Sequence, residues 1–195
     1  RLKIYKLRSE ILIEEVEDLQ SYSIFNIFYE DNNVILFSDP RNNNLGNKLI
    51  LNKKIKISDS NVEEISEKEY HDILISTSTP YTPFDILENK SLLLENNFEN
   101  LNAIDWEKGC YVGQEITARM KYRGLLKKRL YPLKLKNGTV KEGEDLIVNN
   151  KKIGTVISIA NSNIFATLNI NFVDELKKNN NILKINNSLA FDFLN

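Results

Sequence analysis

Beyond Lys127 the chain falls into short apolar, β-branched runs cut by asparagine-rich turns, and this rhythm restricts its fold more than any other feature. Residues 130–135, 146–148, 153–159 and 164–170 read as strands, with Asn137-Gly138, Asn149-Asn150 and Asn161-Ser162-Asn163 between them. A last hairpin joins 182–185 to 189–193 through Asn186-Asn187. Turns this tight join antiparallel neighbours, because a parallel crossover needs about a dozen residues or more. Five or six such strands predict a small carboxy-terminal barrel or sandwich with its boundary near Lys127.

Ahead of that boundary helix and strand signals are mixed, so the expected class is α+β. Residues 2–7 read as the tail of a helix. Ile11, Ile13 and Val16 suggest a strand-like segment ending near Glu17. Residues 23–29 and 34–37 flank the turn Glu30-Asp31-Asn32-Asn33 and predict a hairpin. Asp39-Pro40-Arg41 breaks that strand, and 45–57 resumes extended structure after an Asn-rich loop. Ser66 with Glu69 has capping-box spacing, predicting a helix to about Ile75. Pro80 and Pro83 among threonines make 77–83 a loop able to act as a hinge. The chain opens at Arg1 inside a basic amphipathic segment, so an amino-terminal part is expected to precede it.

Charge excludes little but points away from some partners. Of the 195 residues 26 are basic and 27 acidic, which gives no ground for a non-specific nucleic-acid or membrane binder. A single cysteine rules out an intramolecular disulfide and fits a reducing compartment. No apolar stretch approaches the roughly 20 residues that cross a bilayer, so no membrane partner is expected. The expected location is cytoplasmic, or the mitochondrial matrix in a eukaryote.

That cysteine sits in the run KGCYVGQEITARMKYRG, residues 108–124. Gly109 and Gly113 let the backbone bend and approach a ligand closely. Residues 114–122 have helical composition, and Gly124 suits the position just past the helix. Glu115 and Arg119 are spaced to pair across one turn. Cys110 therefore lies near the positive end of a helix dipole, with Lys108, Arg119, Lys121 and Arg123 on either side. Both influences favour the thiolate, the form that binds metal or attacks as a nucleophile. Against this, a lone cysteine is more often a small buried hydrophobe. Lys108 and Tyr111 taken singly would be surface and packing residues.

KGCYVGQE followed by TAR and a basic-Gly pair resembles the signature of the YgfZ family, folate-binding iron–sulfur cluster assembly proteins related to the glycine cleavage T protein. Asp39-Pro40-Arg41 with Leu45-Gly46 resembles that family's DPR…LG segment, and 66–70 resembles the helix after it. The likeness covers nearly the whole chain and matches the family's middle and carboxy-terminal parts. It implies a T-protein-like (aminomethyltransferase) folate-binding fold, with residues 1–126 its middle part and 127–195 a small antiparallel β-barrel. It implies tetrahydrofolate binding and a role in assembling or maintaining [4Fe–4S] proteins, tRNA-modifying radical enzymes among them. Cluster assembly factors and [4Fe–4S] client proteins would be the partners. Cys110 inherits the role of key thiol, and Lys108, Gly109, Tyr111, Gly113, Gln114, Glu115 and Arg119 the supporting, cofactor-binding positions. The chain departs from the pattern where relatives have Arg and a Gly-Ile-Pro-like turn: it has Leu74-Ile75 and then Ser78-Thr79-Pro80. The relationship to the T protein also raises an alternative, a folate-dependent aminomethyltransferase or other one-carbon transferase. The T protein lacks KGCYVGQE, however, and this chain has no other evident acid–base pair, so a non-enzymatic factor is preferred.

Three further features bear on chemistry. Seven basic residues between Lys108 and Arg129 face one acid, Glu115, which suits an anion, but Lys127, Lys128 and Arg129 read better as a solvated face. Tyr111 and Tyr122 are too sparse for base stacking, so direct nucleic-acid binding is not expected. His71, the one histidine, reads as a helix-surface residue, and one His with one Cys makes no zinc site. A [4Fe–4S] cluster takes four thiolates, so Cys110 would have to share one with a partner or a second copy. Trp106 is expected to pack beneath the motif loop.

Overall fold

The computed structural model describes residues 4, 6, 8–26, 34–55, 57, 62–178, 182–185 and 188–194. The chain forms two compact units, one of residues 1–38 and 46–62, the other of 39–45 and 63–195.

The first unit is a three-stranded antiparallel sheet of β1 (Leu19–Ile24), β2 (Ile35–Ser38) and β3 (Asn47–Asn52) in the order β1-β3-β2. Leu49 and Leu51 alternate to one face of β3 and bury with Ile24, and Val34, Ile55 and Ile57 pack against them. The expected hairpin of 23–29 with 34–37 is not what forms. Both strands pair with β3, β2 through Ser38 opposite Asn47 and β1 through Leu19 opposite Asn52. The central strand is the one whose alternation supplies a buried apolar face, and it recruits a neighbour on each edge. The turn residues 30–33 lie outside the described residues, as do most of 2–7. Residues 11–16 are not a strand; Ile11, Leu12 and Val16 are exposed and have no sheet neighbour to bury them.

In the second unit α1 (Glu67–Ser76) starts with the expected capping box. Ser66 Oγ accepts from the Glu69 amide at 3.2 Å, and the Ser66 amide donates to Glu69 Oε2 at 2.8 Å. The DPR segment braces this helix. Arg41 grips the buried Asp39 through Nε at 2.9 Å and Nη2 at 2.7 Å, and Nη2 reaches the Tyr70 hydroxyl at 3.3 Å. Those hydrogen bonds, Asp39 foremost, hold the guanidinium's proton above its ordinary affinity.

The carboxy-terminal strands are β4 (Lys128–Asn137), β5 (Asp145–Val148), β6 (Lys151–Ala160), β7 (Asn163–Asn169), β8 (Leu183–Lys184) and β9 (Ala190–Phe193). They form one antiparallel sheet, β5-β6-β7-β4-β9-β8. Leu146 from one edge strand and Leu183 from the other share a core with Leu133, Val156, Leu168 and Phe191, so the sheet curls into a nearly closed barrel. Asn186-Asn187, the expected turn between β8 and β9, lies outside the described residues. Ile75 of α1 buries with Leu130, Ala160 and Phe165 on the barrel's other face.

One element differs from the strand-only expectation. Residues Ile170–Lys178 form a helix, α3, directly after β7. Asn169 Oδ1 accepts from the Phe172 amide at 3.2 Å as its cap, Val173 buries, and Phe172 and Leu176 pack on the barrel core. Phe172, Val173 and Leu176 carry the helical spacing in the sequence, overlooked among the surrounding strand runs.

Candidate functional site

The motif begins on an exposed loop and continues into the helix α2 (Gln114–Tyr122). Gly113 is the residue before the helix, at φ 93, and it provides no side-chain cap. A left-handed conformation there disfavours any residue with a Cβ. Gln114 closes the bend both ways: its amide donates to the Tyr111 carbonyl at 3.4 Å, and its Oε1 accepts from the Tyr111 amide at 3.3 Å. The Lys108 ammonium stands 4.9 Å from the Tyr111 ring centre. Glu115 and Arg119 pair at 2.5 Å, as their spacing implies. Thr117 and Met120 form the buried face of α2, and Gly124 follows its end at φ 61 with the Leu125 amide reaching back to the Met120 carbonyl at 3.2 Å.

Cys110 is exposed on this loop, and the buried-hydrophobe reading does not hold for it. Val112 is as exposed as in an extended chain, and the space beside Gly109 and Gly113 is open. The structure thus joins Lys108 with Tyr111, Tyr111 with Gln114, and Glu115 with Arg119. Two of the four cations expected to favour a thiolate have other partners: Arg119 pairs with Glu115, and Lys121 with Glu99 and the Trp106 ring.

Glu99 is the residue the sequence reading overlooked. It pairs with Lys121, accepts from Trp106 Nε1 at 2.9 Å, and faces Arg129 Nη2 at 4.0 Å. These neighbours, Lys121 above all, hold its carboxyl below the usual range. Glu95 likewise meets Lys128 at 3.3 Å. The basic run of 108–129 is therefore met by acids from a preceding turn, and its field on an anionic polymer is weaker than the local sequence suggests. Trp106 is half-buried and edge-on to Tyr122 at 6.1 Å, so it packs at the end of α2.

His71 is a correction. It is 5% exposed, not a helix-surface residue, with Nε2 3.0 Å from Asp85 Oδ1 and its ring stacked 4.8 Å from that of Phe84. Asp85 also accepts from the Ser158 hydroxyl and, at 2.7 Å, from the Tyr81 amide. Asp85 is the hub here, with Ser158 and His71 each bound to it, so the order of a hydrolytic triad is not met.

Elsewhere on the barrel a cleft of about 630 Å³ is lined by Glu95, Leu125, Lys127, Lys152, Thr155 and Thr167, among others, and excludes the motif loop. Among the described residues no group of three or more His, Cys, Asp or Glu side chains is placed to hold a metal ion. Among them, too, no helix is long and apolar enough to cross a membrane.

No protein-family model matches the chain. It is similar to the mitochondrial iron-sulfur cluster assembly factor IBA57 homolog of Dictyostelium discoideum, with 31% identity over 169 residues, 78% of this chain and 41% of that protein. The corresponding protein of Neurospora crassa is 36% identical over 95 residues, 48% of this chain and 22% of that one. The mouse factor, from Mus musculus, is 26% identical over 145 residues, 69% of this chain and 40% of its own. The chain thus spans about two fifths or less of the length of these curated relatives.

Proposed function

We propose that this chain is part of an iron–sulfur cluster assembly factor of the YgfZ type, acting in the mitochondrial matrix, with Cys110 as the thiol that touches the cluster. The observation that carries the reading is the exposure of Cys110 on a glycine-flanked loop, in a chain similar to proteins named as mitochondrial iron-sulfur cluster assembly factors. The cluster is cargo. On binding it, the Cys110 thiol gives up its proton to water or a base on the incoming protein, and the sulfur donates a lone pair to iron with no change of oxidation state. These residues include a single cysteine, so the remaining thiolates would come from outside them, from a partner protein or a second copy. An open loop suits such sharing, because a macromolecule has to bring its own ligands up to the same iron atoms. Assembly factors and [4Fe–4S] clients, including tRNA-modifying radical enzymes, are the proposed partners.

Tetrahydrofolate, expected from the same resemblance, fits these residues poorly. A pterin needs an enclosed slot with polar groups aimed inward. Gly109, Gly113 and Val112 stand in open space and Tyr111 is 41% exposed, so 108–113 alone enclose nothing. If the whole protein takes folate, other parts of it supply the walls.

The test is replacement of Cys110 by serine in the whole protein, with cluster-dependent enzymes assayed in cells lacking the native gene. Loss of their activity at normal protein level supports the reading. Full support by the serine variant overturns it.

A further inference from the structure

A single carboxylate ties down both ends of the segment that carries the motif. Glu99 Oε1 accepts from Trp106 Nε1 at 2.9 Å, two residues before Lys108, and the same oxygen pairs with the Lys121 ammonium seven residues into α2. The two ends also touch each other: Lys121 Nζ lies 4.2 Å from the Trp106 ring centre, and Tyr122 meets that ring edge-on. Within the span, Cys110, Tyr111, Val112 and Ile116 are exposed and Gly109 and Gly113 have nothing beside them, so the loop has little packing of its own.

Glu99 itself stands on fixed ground. Its turn, residues 92–102, buries Leu94, Asn96, Asn97 and Leu101. That turn is stapled to β4 twice: Asn97 Nδ2 donates to the Leu130 carbonyl at 2.6 Å, and the Leu130 amide donates to the Glu95 carbonyl at 2.7 Å. The second Glu99 oxygen faces Arg129, next to Leu130 on the same strand. An isolated exposed ion pair contributes little. Here one anion serves an ammonium, an indole N–H and a guanidinium together, and such networks hold more firmly than their separate pairs.

We propose that Glu99 is a positioning residue: its carboxylate clasps residues 106 and 121 and so fixes where the barrel presents the Cys110 loop. The functional consequence rests on Cys110 being the cluster thiol, whereas the clasp itself does not. In the whole protein, Glu99→Ala should raise amide exchange across 106–120 about tenfold, the scale of losing a charge-assisted hydrogen bond, while amides of β6 and β7 keep their rates. Trp106 emission should shift to the red, Glu99→Gln should fall between wild type and Ala, and cluster-dependent enzyme activity should drop with Ala. Lys121→Met opens the clasp from its other side and decides the matter if the Ala protein does not fold. Unchanged exchange across 106–120, or an equal rise throughout β6 and β7, overturns the proposal. Faster local exchange with Cys110→Ser fully functional would leave the clasp standing and remove the thiol role; unchanged exchange with Cys110→Ser inactive would do the reverse.

Discussion

His71 Nε2 lies 3.0 Å from Asp85 Oδ1, with both residues at most 5% exposed, so a helix and the loop after it are joined by a polar contact inside the fold. Ser158 of β6 hydrogen-bonds the same oxygen, and the Tyr81 amide takes the other. α1, the loop at 81–85 and the barrel therefore converge on one carboxylate.

Removing that carboxylate strands every donor around it. Asp85→Ala should lower unfolding free energy by about 3 kcal/mol, the scale for breaking a buried charged network, and Ser158→Ala by about 1 kcal/mol. Urea unfolding measures both. A loss below 1 kcal/mol for Asp85→Ala would mean that the network is not what joins these elements.

Cys110→Ser should leave stability within about 0.5 kcal/mol of wild type, because the residue is exposed. A matching thermal midpoint would assign any loss of activity in cells to chemistry and not to folding.

Glycine substitutions should divide by surroundings. A Cβ on Gly154 would meet the Thr167 carbonyl oxygen at 2.1 Å and Leu168 Cδ2 at 2.6 Å, and the first of these is backbone that cannot rotate away. Gly154→Ala should cost about 2–3 kcal/mol. Gly113→Ala has open space but a φ of 93, so strain of about 1 kcal/mol is expected. Gly109→Ala has neither obstacle and should be nearly neutral. Parallel denaturation curves would rank the three.

Acid should open the Glu99 clasp. Lys121 holds the Glu99 carboxyl below its ordinary 4.5. A carboxylate whose folded affinity for protons is depressed stabilises the native state above its unfolded value, and that contribution fades as pH falls through the lower folded value. Trp106 fluorescence should therefore change at a pH below 4.5, and the transition should vanish in Glu99→Gln. Emission that titrates identically in both proteins would show that Glu99 does not control the indole.

The sequence by itself determined what depends on near neighbours along the chain. Ser66 and Glu69 specify the start of α1 from three residues apart, and the Asn-rich turns mark off the barrel strands. KGCYVGQE marks the glycine-flanked bend and the helix after it, whereas the exposure of its cysteine emerged only from the fold. Even locally, competing patterns misled: the strand rhythm hid α3, whose cap Asn169 and apolar spacing were present in plain order. Only the tertiary structure decided which distant groups meet. β3 became the centre of the first sheet because Leu49 and Leu51 offer a buried face to strands on both edges. His71 went inside because Asp85 and Ser158, 14 and 73 residues from the contacts they make, arrive to satisfy polar atoms there. Glu99 reaches Lys121 across 22 residues because its turn is stapled to β4. Local pattern fixes dihedral preferences and burial tendency, but a carboxylate's partners depend on the path of the whole backbone, which no short window of residues contains.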